Sequence, residues 1–382
     1  MSLTLLDSVS VDHLGGDSRQ VMLCQGDLAA LTPADAVDYI AVSAMPGDYS
    51  PSGGSLIGAL AQKGLSVQAQ SQTKAADYEP TMPCWVSQDV SSAGLNFNRF
   101  ILFEPSQPAA SSAPGLVPTI FRALQCMTGT NAASIALPMV STGSAGADWP
   151  TILRQMFFAA VHFASKADWP LSVVKLVVYD AGRVAAAQQA FAAMKAAYLN
   201  PPLAPQSYAV PAGLSVTPLV GDTIPAGMTQ RQYNYVRAYT GNAIYMGVNA
   251  ALRLNDLTAS AYVYWQPTIE AISSGLAALP NYAGLTMRGT NLPPNVQSQY
   301  QPGATVTELA FTSTSRDSPW GGNTRLNITS LQGKDVEAVS YYPQEHEVLY
   351  DYGLLEYVTQ VSGPSSQLVV NANQVVTNWC QS

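Results

Sequence analysis

Three short segments in the C-terminal part of the chain combine side chains suited to cleaving a nucleotide sugar. LTMRGTN contains Arg288, AFTSTSRD contains Ser313, and VSYYPQEHEVLY contains Glu345 and Glu347. Arginine can hold a diphosphate by paired hydrogen bonds, and a hydroxyl can orient a carboxylate. One carboxylate can stabilise a sugar oxocarbenium ion while a second accepts a proton from the incoming nucleophile. The set therefore fits transfer of a sugar from a nucleotide sugar to an acceptor.

Each segment taken alone has a simpler structural explanation. A strand-end arginine is usually a solvated edge charge, a Ser-Thr-Ser run a strand end or cap, and a Glu-x-Glu pair a solvated face. The order adds information, because a cation, a hydroxyl cluster and a carboxylate pair each stand at the end of a strand. In an extended segment, alternation would also place Glu345 and Glu347 on the same face. Two like charges that close are unfavourable unless the chemistry needs both.

The elements that must position these residues follow a change of composition along the chain. Residues 1–199 alternate apolar strand segments with helical ones, which predicts an α/β domain with helices on both faces of its sheet. Residues 200–227 carry several prolines without helical periodicity and are interpreted as a linker. Residues 228–382 begin with a strongly helical segment and end in a strand-rich tail, which predicts an α+β domain.

The C-terminal segments resemble the arginine-serine-glutamate class of mono-ADP-ribosyltransferases. The resemblance covers most of Thr229–Gln360 and includes YTGNAIYMGVNAALR, MRG, FTSTS and LNITSLQGKDVEAVSYYPQEHEVLY in the family's order. It implies the ADP-ribosyltransferase fold for this domain and an activity in which NAD is consumed as a substrate. The implied enzyme is an NAD–protein (arginine) ADP-ribosyltransferase, which is a glycosyltransferase.

The resemblance also implies a role for each matched residue. Arg288 would contact the NAD phosphates, and Gly289 would let the NAD amide approach the backbone closely. Ser313 would hold Glu347 and the nicotinamide ribose in place. Glu347 would be the catalytic glutamate, hydrogen-bonded to the ribose 2′-OH as nicotinamide leaves. Glu345 would position and activate the acceptor.

Two departures from the family pattern bear on specificity. Met287 stands before the arginine, where the family often has an aromatic residue, which loosens the expected stacking at the nicotinamide end. Gln344 precedes Glu345, but the spacing of two residues to Glu347 favours Glu345 as the acceptor-side residue. In this family a glutamate there accompanies arginine acceptors, so arginine is implied, while serine, threonine and small-molecule acceptors stay open. Tyr341–Tyr342 fall in the loop that recognises target proteins.

The N-terminal domain resembles a macrodomain, the three-layer α/β fold that binds ADP-ribose. Asp27 matches the adenine-contacting aspartate, Gly53–Leu60 the first glycine loop, and STGSAG, with Gly143 and Gly146, the phosphate-facing loop. The family's Asn-Ala-Ala-Asn signature is replaced by VSAMPGDY, so hydrolase activity is not expected. Two interpretations stay open: a module that binds ADP-ribose or NAD, and a domain that has lost the ligand and docks the transferase or its target.

Composition excludes several other classes of function. The net charge is -8 with 17 Lys plus Arg, and no basic run is present, which argues against nucleic-acid binding. Apolar stretches are interrupted too often for a membrane span, and the N-terminus lacks a Sec signal. Four scattered cysteines and three histidines have no metal-ligand spacing, so no metal is expected. We expect folding in the cytoplasm, with export by a dedicated apparatus if the protein acts outside the cell.

The leading hypothesis is a bacterial toxin or effector that transfers ADP-ribose from NAD to a protein acceptor. The toxin or effector role comes from family analogy alone. One alternative is an NAD glycohydrolase that uses the same site with water. Another is a non-catalytic ADP-ribose-binding protein, against which the presence of Arg288, Ser313 and Glu347 argues.

Overall fold

The computed structural model describes residues 2–12, 18–78, 82–104, 117, 120–124, 134–140, 148–165, 171–201, 223–241, 244–257 and 259–375. Contacts between Cα atoms divide the chain into an N-terminal unit that ends at Leu199 and a C-terminal unit that begins at Asn200. Most of the proline-rich segment predicted to be a linker lies outside the described residues, so that prediction stays a prediction. None of the helices in the described ranges is long and apolar enough to cross a membrane.

In the described part of the N-terminal unit, eight strands form one mixed sheet. Their order is β1-β2-β8-β7-β3-β6-β5-β4. The five central strands run parallel to each other, whereas β1 at one edge and β5 and β4 at the other pair antiparallel. The strands are β1 (Thr4–Asp12), β2 (Ser18–Gln25), β3 (Val37–Ser43), β4 (Ala76–Asp77), β5 (Cys84–Val86), β6 (Phe97–Phe103), β7 (Ser134–Pro138) and β8 (Val173–Val178).

Helices cover both faces of this sheet. The helices with assigned bounds are α1 (Leu56–Gln62), α2 (Val67–Gln70), α3 (Trp149–Ala164) and α4 (Val184–Leu199). Alternation along β3 sends Tyr39 and Ala41 into a core that includes residues of α3 and α4. Ile40 and Val42 enter a second core with residues of α1. The expected α/β layering is therefore observed, while the assignment as a macrodomain stays a prediction.

The C-terminal unit begins with three amphipathic helices, α5 (Gln230–Thr240), α6 (Tyr245–Arg253) and α7 (Ser260–Ala277), and a short α8 (Pro294–Gln297) follows. Thr229 and Gln232 form a capping box that starts α5. The sequence predicted one helical segment here, but α5 ends at Thr240, and the N–H group of the following Gly241 donates to the carbonyl of Arg237. Apolar residues of α5, α6 and α7 pack in one core with Phe311, which precedes β11, and with Leu349 of β13.

Seven strands in the described part of the C-terminal unit form a mixed sheet in the order β10-β14-β15-β12-β13-β11-β9. The long β12 also pairs with β9, so the sheet curves back on itself. Only β12 and β15 run parallel among these pairs. The strands are β9 (Asn281–Thr290), β10 (Thr305–Glu308), β11 (Thr312–Ser315), β12 (Thr324–Asp335), β13 (Glu347–Tyr350), β14 (Leu354–Ser362) and β15 (Leu368–Gln374).

Glu356 lies buried on β14 between Leu354 and Val358, which belong to the second core of this unit. Neither of its carboxylate oxygens has a hydrogen-bond partner. Burial, with a smaller contribution from Glu308, raises its pKa to about 8, against the lowering effect of Arg288. The strand alternation in LLEYV predicts this inward orientation, since residues 354, 356 and 358 share a face.

The raised pKa predicts that this core loses stability as pH rises. Because folded Glu356 retains its proton up to about pH 8 while the unfolded carboxyl releases it near 4.5, the free energy of unfolding falls across that window. Glu356→Gln should remove this loss and raise the free energy of unfolding by about 5 kcal/mol at pH 8.5, with little change at pH 5. Hydrogen exchange of β12 and β14 peptides at both pH values measures the difference. Equal protection from hydrogen exchange in the variant and the native protein at pH 8.5 would contradict this prediction.

Candidate active site

Three neighbouring strands bring the predicted C-terminal residues together. Ser315 at the end of β11 lies opposite Glu347 of β13 on one side and opposite Met287 of β9 on the other. Arg288 follows Met287 on β9, and Ser313 lies two residues before Ser315. The pairing of β9, β11 and β13 therefore brings Arg288, Ser313 and Glu347 close together.

Ser313 links the arginine to the buried glutamate. Its hydroxyl donates a hydrogen bond to Glu347 Oε1, and its carbonyl oxygen accepts one from Arg288 Nη1 at 2.8 Å. The cation, the hydroxyl and the carboxylate are thus held in one connected arrangement. A diphosphate at the arginine and a ribose at the carboxylate could be bound side by side.

Glu347 is a buried carboxylate with an altered acidity. Only 3% of the residue is exposed. Burial raises its pKa to about 7; the Ser313 hydrogen bond and the charge of Arg288 lower it, and the charge of Glu345 raises it. A carboxylate in such surroundings interacts strongly with a developing positive charge nearby, because little water screens it. The site is therefore suited to stabilising a cationic sugar.

The backbone between the two glutamates is not extended, so the expectation of an alternating strand there is wrong. Glu345 ends a short 3₁₀ helix that starts at Pro343, and His346 has a left-handed conformation with φ 46° before β13 starts at Glu347. Proline favours the first helical position, which explains where the turn begins. Glu345 nevertheless remains near Glu347, since its charge contributes to the raised pKa of that residue. Burial also raises the pKa of Glu345 itself.

Helix α5 holds the loop that carries Glu345. The N–H group of Tyr341 donates to Thr240 Oγ1 at 2.9 Å, and Arg237 Nη1 donates to the carbonyl of Ser340 at 3.2 Å. The Arg237 guanidinium also lies 5.4 Å from the ring centroid of Tyr341, a cation–π contact. The Tyr-Thr-Gly segment recognised in the sequence therefore has a local structural purpose, because its threonine anchors this loop.

Tyr239 is a buried residue of the site to which the sequence assigned no role. Asn249 Nδ2 donates to its hydroxyl at 2.8 Å, and the hydroxyl donates to the carbonyl of Phe311, just before β11, at 3.4 Å. Burial raises the pKa of Tyr239, and the charges of Glu347 and Arg288 also act on it. It ties α5 and α6 to the strand that carries Ser313. Its place in the Tyr-Thr-Gly segment was the signal that could have identified it.

Gly289 is required by close packing of the backbone. A Cβ atom at this position would lie 1.4 Å from the carbonyl oxygen of Trp320. No side chain fits there, since real contacts of this kind are more than twice as long. The role implied for this glycine toward the NAD amide stays a prediction, and the Trp320 contact is an additional reason for the residue.

A cavity of about 360 Å³ opens beside Glu345. Its walls are formed by the turn after β11 and the turn before β13: Ser315, Asp317, Ser318, Pro319, Trp320, Gln344, Glu345 and His346. Two carboxylates and an indole ring suit a cationic group such as a guanidinium. No role was predicted for Trp320 from the sequence.

Of the binding residues predicted in the N-terminal unit, the structure describes Asp27. The Asp27 carboxylate accepts a hydrogen bond from the Ala29 N–H group at 2.9 Å and caps a short 3₁₀ helix, Leu28–Ala30. Gly143 and Gly146 lie outside the described residues. Cys24 and Cys84 are both buried. Within the ranges that the structure describes, no group of three or more His, Cys, Asp and Glu residues could hold a metal ion.

Comparisons with known proteins match the C-terminal part of the chain. Mav of Mycobacterium avium (strain 104) is 44% identical over 126 residues, which are 31% of this chain and 15% of Mav. Tre1 of Serratia proteamaculans (strain 568), named an NAD(+)–protein-arginine ADP-ribosyltransferase, is 37% identical over 128 residues, 32% of this chain and 27% of Tre1. The chain thus spans only 15% and 27% of the length of these relatives.

Solved structures also show a partial likeness to this chain. The type III effector XopAI from Xanthomonas axonopodis pv. citri is 24% identical, with 39% of this chain and 68% of that chain covered and a TM-score of 0.35. At that score the likeness does not bear on activity. Residues 208–366 match the model of the family described as ART, NAD:arginine ADP-ribosyltransferase. The C-terminal unit therefore carries an ART family domain.

Proposed function

We propose that this chain transfers ADP-ribose from NAD to an arginine side chain of a target protein. The observation that carries the proposal is the double contact of Ser313, whose hydroxyl donates to buried Glu347 while its carbonyl accepts from Arg288. The family match over residues 208–366 and the names of the relatives support the same activity.

In this proposal the first step breaks the bond between nicotinamide and ribose. Arg288 binds the diphosphate of NAD, and Glu347 in its ionised form accepts a hydrogen bond from the ribose 2′-OH. As the bond breaks, the electron pair leaves with nicotinamide and positive charge develops on the ribose, where the carboxylate of Glu347 stabilises it. Ser313 keeps that carboxylate oriented.

In the second step an acceptor nitrogen attacks the ribose. A guanidinium must lose a proton to form the new carbon–nitrogen bond, and Glu345 accepts that proton as a general base. The raised pKa of Glu345, caused by burial, favours this role, because it brings the carboxylate closer to the pH at which it must take up a proton. The adjacent cavity, with Asp317 and Trp320, offers space for the guanidinium.

Incubation with labelled NAD tests the proposal. The protein would be incubated with agmatine, as a soluble guanidinium probe, and separately with a cell lysate, and nicotinamide release would be measured in parallel. We expect labelled agmatine and a labelled lysate protein, with arginine identified as the modified residue by mass spectrometry. Nicotinamide release with no labelled product would favour the glycohydrolase. No NAD consumption would contradict the proposal.

The pKa of Glu347 predicts the pH dependence of NAD cleavage. Because the ionised form is needed, kcat/KM for NAD should fall about tenfold per pH unit below pH 7 and level off above it. Ser313→Ala removes a hydrogen bond that lowers the pKa of Glu347, so the midpoint of the pH profile of kcat/KM should move to higher pH. Glu345→Gln removes a charge that raises it, so the midpoint should move to lower pH.

Nicotinamide release in the absence of acceptor is the measurement for these profiles, since it does not require Glu345 as a base. Ser298→Ala, which alters an exposed serine bonded to Asn295, is the matched control and should leave the midpoint unchanged. Midpoints that shift in the same direction for Ser313→Ala and Glu345→Gln would contradict the assignment of Glu347.

The N-terminal unit is proposed to bind ADP-ribose or to dock the transferase or its target. Its sheet, covered by helices on both faces, supports the first possibility, as does the position of Asp27 after β2. Calorimetric titration with ADP-ribose distinguishes the two. We propose that the whole protein acts as a bacterial toxin or effector on a protein of another cell.

A further inference from the structure

His346 lies between the two glutamates, and charged residues of neighbouring segments hold its side chain. Nδ1 lies 3.0 Å from Glu337 Oε2 and 3.2 Å from Arg316 Nη2, and Nε2 lies 3.5 Å from Asp317 Oδ2. Arg316 also pairs with Asp335 through Nη1 at 2.8 Å and with Glu337 through Nη2. We call these five residues the His346 cluster. The cluster joins the turn after β11, the end of β12 with its following loop, and the turn before β13.

The backbone of the same turn is fixed by three donors. The carbonyl of Glu345 accepts from Ser315 Oγ at 2.9 Å, and the carbonyl of His346 accepts from the Arg316 N–H group at 3.2 Å. The carbonyl of Glu347 accepts from the Val336 N–H group at 3.2 Å. Three consecutive carbonyl groups are therefore tied to the same segments that the cluster joins.

The conformation of His346 depends on these contacts. Its φ of 46° is in the left-handed region, which is uncommon for a residue with a Cβ atom. The cluster contacts of the imidazole restrain it. This conformation reverses the chain between the 3₁₀ helix and β13, and so decides where the side chain of Glu345 points.

The two glutamates differ in how they are held. Glu347 is buried on β13 and bonded to Ser313. Glu345 is partly exposed, and its side chain makes no hydrogen bond or ion pair to any residue that the structure describes. The position of the Glu345 carboxylate therefore depends on the backbone of the turn alone, whereas that of Glu347 has support of its own.

We propose that His346 is a positioning residue, which acts through its cluster to hold Glu345 where an acceptor can be deprotonated. The inference rests on the proposed function. It goes beyond it by separating the two half-reactions structurally: loss of the imidazole should impair transfer to an acceptor far more than cleavage of NAD. A displacement of about 1 Å at a reacting group can lower a rate about 100-fold, so a small shift of Glu345 is sufficient.

Three variants separate the side chain of His346 from its backbone conformation. His346→Gly permits the left-handed conformation but removes all cluster contacts. His346→Asn also tolerates that conformation and retains a hydrogen-bonding group near the position of Nδ1. Asp77→Asn, which removes an exposed ion pair to Lys74 in the N-terminal unit, is the matched control for loss of a charged surface contact. Circular dichroism and thermal unfolding would establish that each variant is folded.

The readout is the ratio of agmatine labelling to nicotinamide release without acceptor. We expect His346→Gly to lower this ratio about 10-fold or more, through kcat for transfer, with the KM for NAD unchanged. His346→Asn should recover most of the ratio, and Asp77→Asn should leave it at the native value. A general structural defect would lower both activities together and would not be repaired by asparagine.

The outcomes separate this inference from the proposed function. A native ratio in folded His346→Gly, or a ratio in His346→Asn no better than in His346→Gly, would overturn the role of His346 while leaving the transferase in place. If the native protein neither released nicotinamide nor labelled agmatine, the proposed function would be contradicted, and the inference with it.

Discussion

Replacement of Glu347 by glutamine is expected to lower nicotinamide release from NAD on the order of 10³-fold, with little change in the KM for NAD. The amide keeps the size of the side chain and can still accept from Ser313, so the ground-state contacts of the substrate persist. It loses the negative charge that stabilises the developing ribose cation, and buried charges act through little screening. The loss should therefore fall on kcat, because the interaction is made mainly in the transition state.

A stopped assay for nicotinamide over a range of NAD concentrations measures both parameters. Glu347→Asp is the companion variant: it retains the charge but shortens the reach of the carboxylate toward Ser313, so we expect an intermediate rate. The pH dependence expected near 7 in the native protein should be absent in Glu347→Gln. Turnover of Glu347→Gln within tenfold of the native protein would show that another group stabilises the ribose.

The α/β layering of the N-terminal unit and the proximity of Arg288, Ser313 and Glu347 could be predicted because they depend on local patterns, while the roles of these residues stay predictions. Alternating strand and helical segments predicted the α/β unit, and Arg288, Ser313 and the glutamate pair were predicted to stand at strand ends. In the structure Arg288 lies within β9, Ser313 lies within β11, and Glu347 begins β13. The pairing of β9, β11 and β13 then brings these three residues together. The positions of strands and helices can be predicted from short stretches of sequence, since side-chain alternation and turn residues are local properties.

The geometry around Glu345 could not be predicted, because it depends on contacts between distant segments. His346 takes a left-handed conformation although nothing in the sequence beside it requires one. The contacts that hold it come from Arg316 and Glu337, which lie 30 and 9 residues away. In the same way, only glycine fits at position 289, because any side chain there would clash with the carbonyl of Trp320 in a separate turn. Long-range packing of this kind overrides the local preference for an extended chain.

Replacement of Glu345 by glutamine is expected to separate transfer from hydrolysis. Labelling of agmatine should fall about 100-fold or more, because glutamine cannot accept the proton that the guanidinium must lose. Nicotinamide release to water should stay within about threefold of the native rate at pH 8, since Glu347, Ser313 and Arg288 remain in place. The ratio of the two activities, measured in one reaction with labelled NAD, reports the separation directly.

Gln344→Glu is the matched control for Glu345→Gln, because it places a carboxylate one residue earlier in the same short 3₁₀ helix. Successive residues of a 3₁₀ helix point about 120° apart, so a carboxylate at 344 should not replace the one at 345. The double variant Gln344→Glu/Glu345→Gln should therefore remain defective in transfer while it continues to release nicotinamide. Recovery of agmatine labelling in the double variant would mean that a negative charge anywhere in this turn is enough, and that the position of Glu345 set by the turn is not decisive.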